Sequence, residues 1–342
     1  MNKNSNNCFD EIRFLLALIV LVAHTRDLSS QDTLIFFTKN FDANFAVKGF
    51  FAISGYLVTK SFLSSNSYFE YLEKRVRRIY PAYVFVIIYS VMIGFFTSNL
   101  KAQDFFLSFD FTRYIFANLS FLNFLQPNIA DAMQSNKIQA LNGSLWTIKI
   151  ELMLYLTVPA LIYLYRKFGI NMVIIISFFV GFCWHYYFTH QSSHPLALSL
   201  SRQFPSQLPY FTFGSMLVFI NIKNSLSLGV IIMSVIYYYF ISFNLDDLNK
   251  ELINMFLIPL TVITIACSNL LSVNIKKYGD LSYGIYLFHF PTIQFLEYFG
   301  AYKTNFYVGF LLSIAITLGF SFISWHIVEK KFLKSSSHYL SS

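Results

Sequence analysis

The sequence has few charged residues and few cysteines for its length. Only 12% of its 342 residues are Asp, Glu, Lys or Arg, whereas soluble domains are usually about a quarter charged. This shortage excludes a water-soluble globular fold, because too few charges remain to cover its surface. Cys8, Cys183 and Cys267 are far apart in the sequence, so they provide neither a disulfide framework nor the ligand spacing of a zinc site.

Long apolar runs are abundant instead: 56% of the residues are hydrophobic and 20% are aromatic. A helix needs about 20 apolar residues to cross a bilayer, and runs of that kind recur along the whole chain. They predict an all-α fold, a polytopic membrane helical bundle of about ten transmembrane helices. The predicted spans lie near 12–29, 41–63, 80–98, 145–165, 170–188, 207–222, 226–243, 251–271, 279–299 and 304–327. The apolar but charge-bearing segment 105–125 is interpreted as interfacial or re-entrant.

The distribution of cations predicts the orientation. An even number of spans places both termini on one side of the membrane, and short basic loops face the cytoplasm. Those loops contain "EKRVRR" (73–78), Arg166, Lys167, Lys223, Lys276, Lys277 and "EKKFLK" (329–334). Both termini are therefore expected to be cytoplasmic, with the longer loops 99–144 and 189–206 outside. Topology also accounts for the net charge of +8, so no nucleic-acid partner is expected.

The domain organisation is expected to be simple. No hydrophilic linker or internal repeat interrupts the apolar pattern, which predicts one membrane domain over 10–330 and a short cytoplasmic tail over 331–342. Small residues do not close the first apolar run, so this run is expected to remain as the first span rather than to be removed as a signal peptide.

The stretch "RFLLALIVLVAH" carries a cation and an imidazole in the first predicted span. Arg13 and His24 are eleven positions apart, which places them on nearly the same helical face and about 16 Å apart along the axis. A polar group inside the bilayer must face the bundle interior or a water-filled cavity. His24 is therefore either a structural histidine bonded to a neighbouring helix or a general base. Arg26 and Asp27 follow it closely.

Two further stretches carry polar groups with alternative interpretations. In "EKRVRRIYPAY", Arg75 and Arg78 are one helical turn apart; such a cluster suits phosphate groups, or it sets topology and contacts anionic lipids. In "GSLWTIKIELMLY", Glu151 lies in an apolar helix. It either orients a base histidine, holds a substrate hydroxyl, or pairs with an arginine of another helix.

Other motifs are read as structural. Ser54 and Gly55 in "KGFFAISGYL" favour close helix packing, and the chain has no G-x-S-x-G elbow to activate a serine. His289 in "LSYGIYLFHFP" is by itself interpreted as structural. Three histidines lie near one outward loop without a nearby acid or cysteine, so no metal site is expected. They are His185, His190 and His194.

These motifs occur in a particular order along the chain. Arg-x10-His, "FFAISGYL", "RVRRIYP", "LWTIKIE" and "LSYGIYLFHFP" follow one another. Their combination resembles the acyltransferase-3 family of bacterial membrane O-acyltransferases, which includes O-antigen and exopolysaccharide acetylases. The resemblance covers about residues 10–330. It implies a ten-helix domain with cytoplasmic termini in the bacterial inner membrane.

The resemblance also implies roles for individual residues. His24 matches the catalytic histidine and Arg13 its paired arginine. Arg75 and Arg78 match the family's Arg-x-x-Arg motif on the cytoplasmic side, where acyl-CoA is available. Arg13 either joins them in binding acyl-CoA or stabilises the thioester oxyanion. Glu151 matches the acid of the family's tryptophan-to-glutamate motif. Its implied role is to orient His24, and Asp27 is the alternative residue for that role. His289 and Glu329 match polar residues of the closing helices. Lys149 and Lys331 depart from the family pattern.

The reaction implied is transfer of an acyl group, in the family most commonly acetyl, from acyl-CoA to a saccharide hydroxyl. The acceptor could be linked to a polyprenyl lipid, membrane lipid is a further partner, and acyl-CoA is a co-substrate rather than a resident cofactor. The sequence leaves open direct transfer or an acyl-enzyme intermediate. Two alternatives remain: a lipid-linked saccharide flippase or small-solute transporter, and an enzyme acting on membrane lipid or peptidoglycan.

Overall fold

The computed structural model of the chain describes residues 7–29, 31–40, 42–220, 222, 224–237, 245–268 and 275–334. Across these residues the fold is helical and contains no strand, which confirms the predicted all-α class. The α-helices are α1 (Phe9–Ser29), α2 (Ile35–Asn40), α3 (Ala43–Leu63), α4 (Tyr68–Thr97), α5 (Ala102–Phe106), α6 (Phe109–Leu119), α7 (Trp146–Phe168), α8 (Ile170–Tyr186), α9 (Ala197–Ser201), α10 (Phe204–Met216), α11 (Asn224–Ile236), α12 (Asp247–Cys267), α13 (Ser282–Tyr298), α14 (Ala301–Thr304), α15 (Phe306–Ile323) and α16 (Lys330–Phe332).

Each of the ten predicted spans overlaps a helix, although α10 and α11 have only 13 residues each. Within the described ranges, five helical stretches are long and apolar enough to cross a bilayer: Tyr68–Thr97, Gly143–Phe168, Ile170–Gln191, Asp247–Cys267 and Phe306–Phe332. The protein is therefore a multi-pass membrane protein, while the count of ten crossings and the orientation of the termini stay predictions. Parts of four predicted spans (41, 221, 238–243 and 269–271), Lys223 and residues 335–342 of the tail lie outside the described residues.

Two regions differ in detail from the expected boundaries. Helix α4 begins at Tyr68 rather than near 80, so the basic stretch 73–78 is helical and continuous with the span. The segment predicted to be interfacial or re-entrant forms the short helices α5 and α6. The hydroxyl of Ser108 starts α6 by accepting a hydrogen bond from the Phe111 backbone N–H (3.0 Å), which satisfies one of the unpaired donors at a helix start.

The helices pack into two compact units. The first comprises the described parts of Met1–Arg13, Asn44–Tyr71 and Ile150–Val273. Helices α3 and α10 approach closely within it: a Cβ on Gly55 would lie 2.1 Å from the Phe211 carbonyl oxygen, and one on Gly214 would lie 2.1 Å from that of Ala52. Only glycine fits such backbone-to-backbone contacts, as predicted for Gly55.

The second unit comprises the described parts of Phe14–Ala43, Leu72–Lys149 and Asn274–Ser342. Its central helix is α13, most of whose side chains are buried. Helix α15 packs closely against α13 at Gly284, where a Cβ would lie 2.8 Å from Cα and Cβ of Ser321. A hydrophobic core joins α1, α13 and α14 through Leu28, Phe290, Ile293, Leu296 and Tyr302. This packing fixes the position of α13 and of the polar groups that it carries.

Candidate active site

The "FHFP" stretch of α13 places a proline inside a helix, and the structure compensates for it. Pro291 has no backbone N–H, so the carbonyl of Leu287, four residues earlier, loses its usual helical donor. The side-chain amide of Asn142 donates to this carbonyl at 3.0 Å. A buried carbonyl is thereby satisfied, and the segment before α7 is attached to α13.

The same segment organises the start of α7. The Asn142 side chain accepts hydrogen bonds from the backbone N–H (3.1 Å) and the hydroxyl (2.6 Å) of Ser144. The hydroxyls of Thr147 and Tyr286 lie 2.7 Å apart, which adds a second attachment between α7 and α13. All four side chains are buried. The turn of α13 that contains His289 is therefore fixed by the hydrogen bonds of its own helix and by those to the start of α7.

His24 and His289 form a hydrogen-bonded pair. Nδ1 of His24 lies 2.7 Å from Nε2 of His289, the ring centres are 5.0 Å apart, and the ring planes differ by 3°. With parallel planes and these two distances, the imidazoles must lie in one plane and meet edge to edge. His289 is fully buried (0% exposed), while His24 is partly exposed. The two residues that the sequence singled out separately thus form one group.

A backbone carbonyl completes this chain of hydrogen bonds. Nδ1 of His289 lies 3.0 Å from the carbonyl oxygen of Ile285, one turn earlier on α13. The ring of Phe290 packs edge-on against His24, with the centroids 5.4 Å apart. Gly143 lies behind that ring, since a Cβ there would be 2.6 Å from Cζ of Phe290. His24 is therefore positioned by one polar and one aromatic contact.

Asp27 does not contact His24, although the sequence offered it as an alternative partner. It lies one turn later on α1 and is exposed. Its neighbour Arg26 donates a hydrogen bond to the Thr38 hydroxyl (3.2 Å) and lies 3.8 Å from the Asp32 carboxylate. His24 is bonded to His289 instead.

Helix α1 contains both residues of the Arg-x10-His pattern, so their separation of about 16 Å along one helix follows from its rise per residue. Arg13 is buried and lies 3.8 Å from the carboxylate of Asp10, three residues earlier. The cation at the start of the apolar run is thus paired with a carboxylate one helical turn earlier.

Glu151 lies in the first unit and accepts hydrogen bonds from two hydroxyls. The Ser54 hydroxyl donates to it at 3.0 Å, and the Tyr155 hydroxyl, one turn later on α7, donates to the same oxygen. The sequence assigned Ser54 to packing alone, so this contact of Ser54 was missed. The predicted role of Glu151 in orienting His24 stays a prediction.

Arg78 is the centre of a buried ionic cluster in the second unit. Its two terminal nitrogens contact Asp280 (2.6 Å) and Glu329 (2.7 Å), and its guanidinium carbon lies 5.2 Å and 5.8 Å from the ring centroids of Tyr283 and Trp325. Every one of these charged side chains is buried. Sequence reasoning missed Asp280, although a carboxylate just before the apolar helix α13 was visible.

A stretch of π-helix over Ser324–Glu329 positions Glu329 in this cluster. In a π-helix, residues five apart are aligned, and accordingly the Ser324 hydroxyl donates to Glu329 at 2.8 Å. Asp280, the other carboxylate of the cluster, accepts a hydrogen bond from the hydroxyl of Ser282, two residues later, at 2.6 Å.

Arg75, one turn before Arg78 on α4, is buried as well. Its predicted role in phosphate binding stays a prediction.

A second buried ionic group was not predicted. Lys48 Nζ lies 2.6 Å from a Glu251 carboxylate oxygen, and the Tyr210 hydroxyl donates to the other oxygen at 2.8 Å. Since each charged atom has a close partner, the group fits the structural rule that buried charges are paired.

Lys149, one of the departures from the family pattern, also has a described contact: its ammonium lies 4.6 Å from the ring centroid of Phe124.

The described ranges contain no group of three or more histidine, cysteine or acidic side chains that could hold a metal ion. Among the three histidines at positions 185, 190 and 194, Nδ1 of His190 lies 2.7 Å from the Thr189 hydroxyl, and Nδ1 of His194 accepts a hydrogen bond from the Leu196 N–H at 3.1 Å.

The family model for an acyltransferase domain, acyltransferase-3, matches residues 6–326 of the chain. The protein therefore belongs to the acyltransferase-3 family, and it is a membrane acyltransferase. This confirms the resemblance that the order of its motifs indicated.

Two relatives cover nearly the whole chain. An "O-acetyl transferase" of Shigella phage Sf6 is 29% identical over 340 residues, which are 99% of this chain and 99% of the relative. "Nodulation protein 10" of Rhizobium leguminosarum bv. viciae is 25% identical over 357 aligned residues, covering 96% of this chain and 93% of the relative. No solved structure matches the chain.

The packing behind His24 gives a first testable prediction. Replacing Gly143 by alanine places a methyl group against the Phe290 ring, so this ring, which packs edge-on against His24, must shift. We expect destabilisation of about 1–3 kcal/mol and a loss of up to about 100-fold in the rate of acyl transfer, since small misplacements of catalytic groups are costly. The melting temperature and the initial rate of the purified variant measure the two effects.

The matched control is Gly319→Ala in α15, where a Cβ would meet nothing within 4 Å. That variant should retain the wild-type rate and gain slightly in helix stability. Equal rates for the Gly143 and Gly319 variants would show that the contact with Phe290 does not position His24.

Proposed function

We propose that the protein is a membrane O-acyltransferase that transfers an acyl group, specifically acetyl, from acyl-CoA to a hydroxyl of a cell-surface or lipid-linked saccharide such as O-antigen or exopolysaccharide. Membership of the acyltransferase-3 family and the name of the phage relative, "O-acetyl transferase", support transfer of acetyl to oxygen. The observation that carries the proposal is the partly exposed His24 bonded to His289. Such an imidazole can take the proton of a hydroxyl group.

In this proposal His24 is the general base. The saccharide O–H bond breaks as His24 takes the proton, and the oxygen attacks the carbonyl carbon of the thioester. The carbon–sulfur bond then breaks, and the CoA thiolate takes the proton back from His24. No activated serine of the G-x-S-x-G type occurs in the chain, which favours this direct transfer over an acyl-enzyme intermediate.

Arg13 is proposed to bind the donor rather than the reacting carbonyl. An oxyanion must lie about 3 Å from its stabilising donor, whereas Arg13 and His24 are separated by about 16 Å along one helix. Arg13 is therefore assigned to a polar part of acyl-CoA that lies away from the thioester.

Arg75 is proposed to bind the CoA phosphates. It lies in the basic stretch 73–78 of α4, which the positive-inside rule places at the cytoplasmic face, where acyl-CoA is available. The two carboxylate contacts of Arg78 favour a different role for that residue, because a guanidinium already paired with carboxylates has less capacity for phosphate.

Glu151 is proposed to hold an acceptor hydroxyl. An ionised carboxylate offers about four acceptor positions, and the hydroxyls of Ser54 and Tyr155 occupy part of this capacity. A sugar hydroxyl is chemically equivalent to these two donors. The proposal further includes location in the bacterial inner membrane with ten spans and both termini cytoplasmic.

Comparison of surface polysaccharide from cells with and without the gene tests the function. We expect the methyl signals of O-acetyl groups in the proton NMR spectrum to disappear on deletion and to return on complementation, with the sugar backbone unchanged. A purified protein in nanodiscs should also transfer label from acetyl-labelled acetyl-CoA to the isolated saccharide.

The opposite results are equally informative. Identical NMR spectra from the two strains would contradict the polysaccharide assignment. Disappearance of the whole polysaccharide from the surface, rather than of its acetyl groups, would favour transport of a lipid-linked saccharide over acyl transfer.

A further inference from the structure

We infer that His289 is a positioning residue that fixes the protonation of His24, so that the Nε2 atom of His24 is the basic nitrogen. The inference rests on the proposed function and adds to it a second histidine and an assigned tautomer, that is, the choice of which ring nitrogen carries the hydrogen. It follows from three groups in a line: the Ile285 carbonyl, His289 and His24.

The first step concerns the backbone carbonyl. The oxygen of Ile285 can only accept a hydrogen bond, and Nδ1 of His289 lies 3.0 Å from it. Nδ1 of His289 therefore carries a hydrogen. A neutral imidazole has one N–H, so Nε2 of His289 has a lone pair and acts as an acceptor.

The second step concerns the bond between the rings. Nε2 of His289 and Nδ1 of His24 are 2.7 Å apart in a common plane, and one of them must supply the hydrogen. Because Nε2 of His289 is the acceptor, the hydrogen belongs to Nδ1 of His24. The neutral His24 ring then has its lone pair on Nε2, the nitrogen that faces away from His289.

The alternative arrangement requires a charged His289. Only an imidazolium at 289 could donate both to Ile285 and to His24, and this would place a hydrogen on Nε2 of His24 and remove the base. His289 is 0% exposed, and its described contacts are His24, the backbone of Ile285 and Tyr286, and the rings of Tyr286 and Phe290. An isolated charge in such surroundings is costly, so the resting pair is neutral.

The same geometry assists the reaction. When Nε2 of His24 takes the hydroxyl proton, its Nδ1–H bond to His289 becomes charge-assisted and therefore stronger. His289 thus stabilises the imidazolium that forms, and it holds the ring while the proton is returned to the departing thiolate. His289 does this without contacting the substrate, as the third member of a nucleophile–base–orienter arrangement does.

Nitrogen NMR of the wild-type protein tests the tautomer directly. With ring-¹⁵N histidine in nanodiscs, long-range ¹H–¹⁵N correlations distinguish Nδ1–H from Nε2–H rings. Of the seven histidines, the two signals that disappear in His24→Gln and His289→Gln should both show the Nδ1–H pattern. An Nε2–H pattern for His24 would overturn the inference.

Kinetics of two substitutions at position 289 test its role. His289→Phe removes the acceptor and should lower kcat by about 10²- to 10³-fold, with the KM for acetyl-CoA within about threefold of wild type. His289→Gln places an amide oxygen near the former Nε2, so it can still accept from His24 and should recover at least tenfold over the phenylalanine variant. Size-exclusion profiles and melting temperatures establish that each variant is folded.

His24→Ala separates failure of this inference from failure of the proposed function. An active alanine variant would refute the base assignment itself. If that variant is inactive while His289→Phe keeps the wild-type kcat, only the positioning role is wrong. Equal kcat losses for His289→Phe and His289→Gln would show that hydrogen-bond acceptance is not what position 289 contributes.

Discussion

Replacement of His24 by alanine should abolish acyl transfer, with kcat falling by about 10²- to 10⁴-fold, the usual contribution of a general base. The variant lacks the group that takes the hydroxyl proton, and nothing on His289 can replace it, because that ring is fully buried. The KM for acetyl-CoA should change little, since the donor is assigned to Arg13 and Arg75. Thiol release from acetyl-CoA in the presence of the saccharide, followed with purified protein, measures both constants.

A matched histidine provides the control for this substitution. His190 is exposed, and its ring contacts Thr189 and Tyr186 within its own segment. His190→Ala should keep the wild-type kcat and KM. If both alanine variants transfer acetyl at the wild-type rate, His24 is not the base. If His24→Ala raises the KM for acetyl-CoA while kcat is unchanged, the residue binds the donor instead.

The presence of the long helices could be predicted from the sequence, because a long apolar run crosses a bilayer as a helix, which pairs its backbone polar groups within its own segment. The ends of the helices were less predictable. Helix α4 begins at Tyr68, since the basic stretch 73–78 is a good helix former and Pro81 does not end the helix. The π-helix at Ser324–Glu329 has no periodic signal that the sequence reveals.

The sequence identified the residues of the candidate site, but it did not show which of them contact each other. His24 and His289 were both recognised as polar groups in apolar helices, but 265 positions separate them and only the packing of α1 and α13 joins them. The pairing of Glu151 with Tyr155 was visible, because residues four apart share a helical face. The pairing of Glu151 with Ser54 was not visible, because Ser54 lies on another helix.

The contacts of Arg78 could not be predicted from the charges of its own helix. Two arginines one turn apart favour a phosphate site when only their own helix is considered. The carboxylates that contact Arg78 come from positions 280 and 329, far along the chain. The position of Asp280 before an apolar helix does not indicate which cation it contacts, and Glu329 was recognised only through the family resemblance.

This pairing leads to the second large effect: Arg78→Leu should destabilise the protein by about 3–5 kcal/mol, the usual cost of removing one partner from a buried ion pair. The substitution leaves Asp280 and Glu329 buried, close to each other and without their shared cation. We expect the melting temperature to fall by roughly 10 °C and the yield of folded protein to fall with it. Thermal unfolding of the purified protein measures the effect.

Arg77 on the same helix provides a matched control. Its ion pair with Glu73 (2.8 Å) is more than 40% exposed on both side chains, and exposed pairs contribute about 0–1 kcal/mol. Arg77→Leu should therefore keep a melting temperature close to that of wild type, although it removes the same charge from the same helix.

Neutralising the carboxylates distinguishes an ionic role of Arg78 from phosphate binding. The triple variant Arg78→Leu, Asp280→Asn, Glu329→Gln removes the cation together with its two described carboxylate partners, so it should recover much of the stability lost in Arg78→Leu. A phosphate ligand behaves differently: its loss raises the KM for acetyl-CoA, leaves the melting temperature unchanged, and is not reversed by the two amides. That second pattern would assign Arg78 to the donor together with Arg75. The first pattern leaves the phosphates to Arg75 and makes Arg78 the cation that holds α4, α13 and the π-helix together.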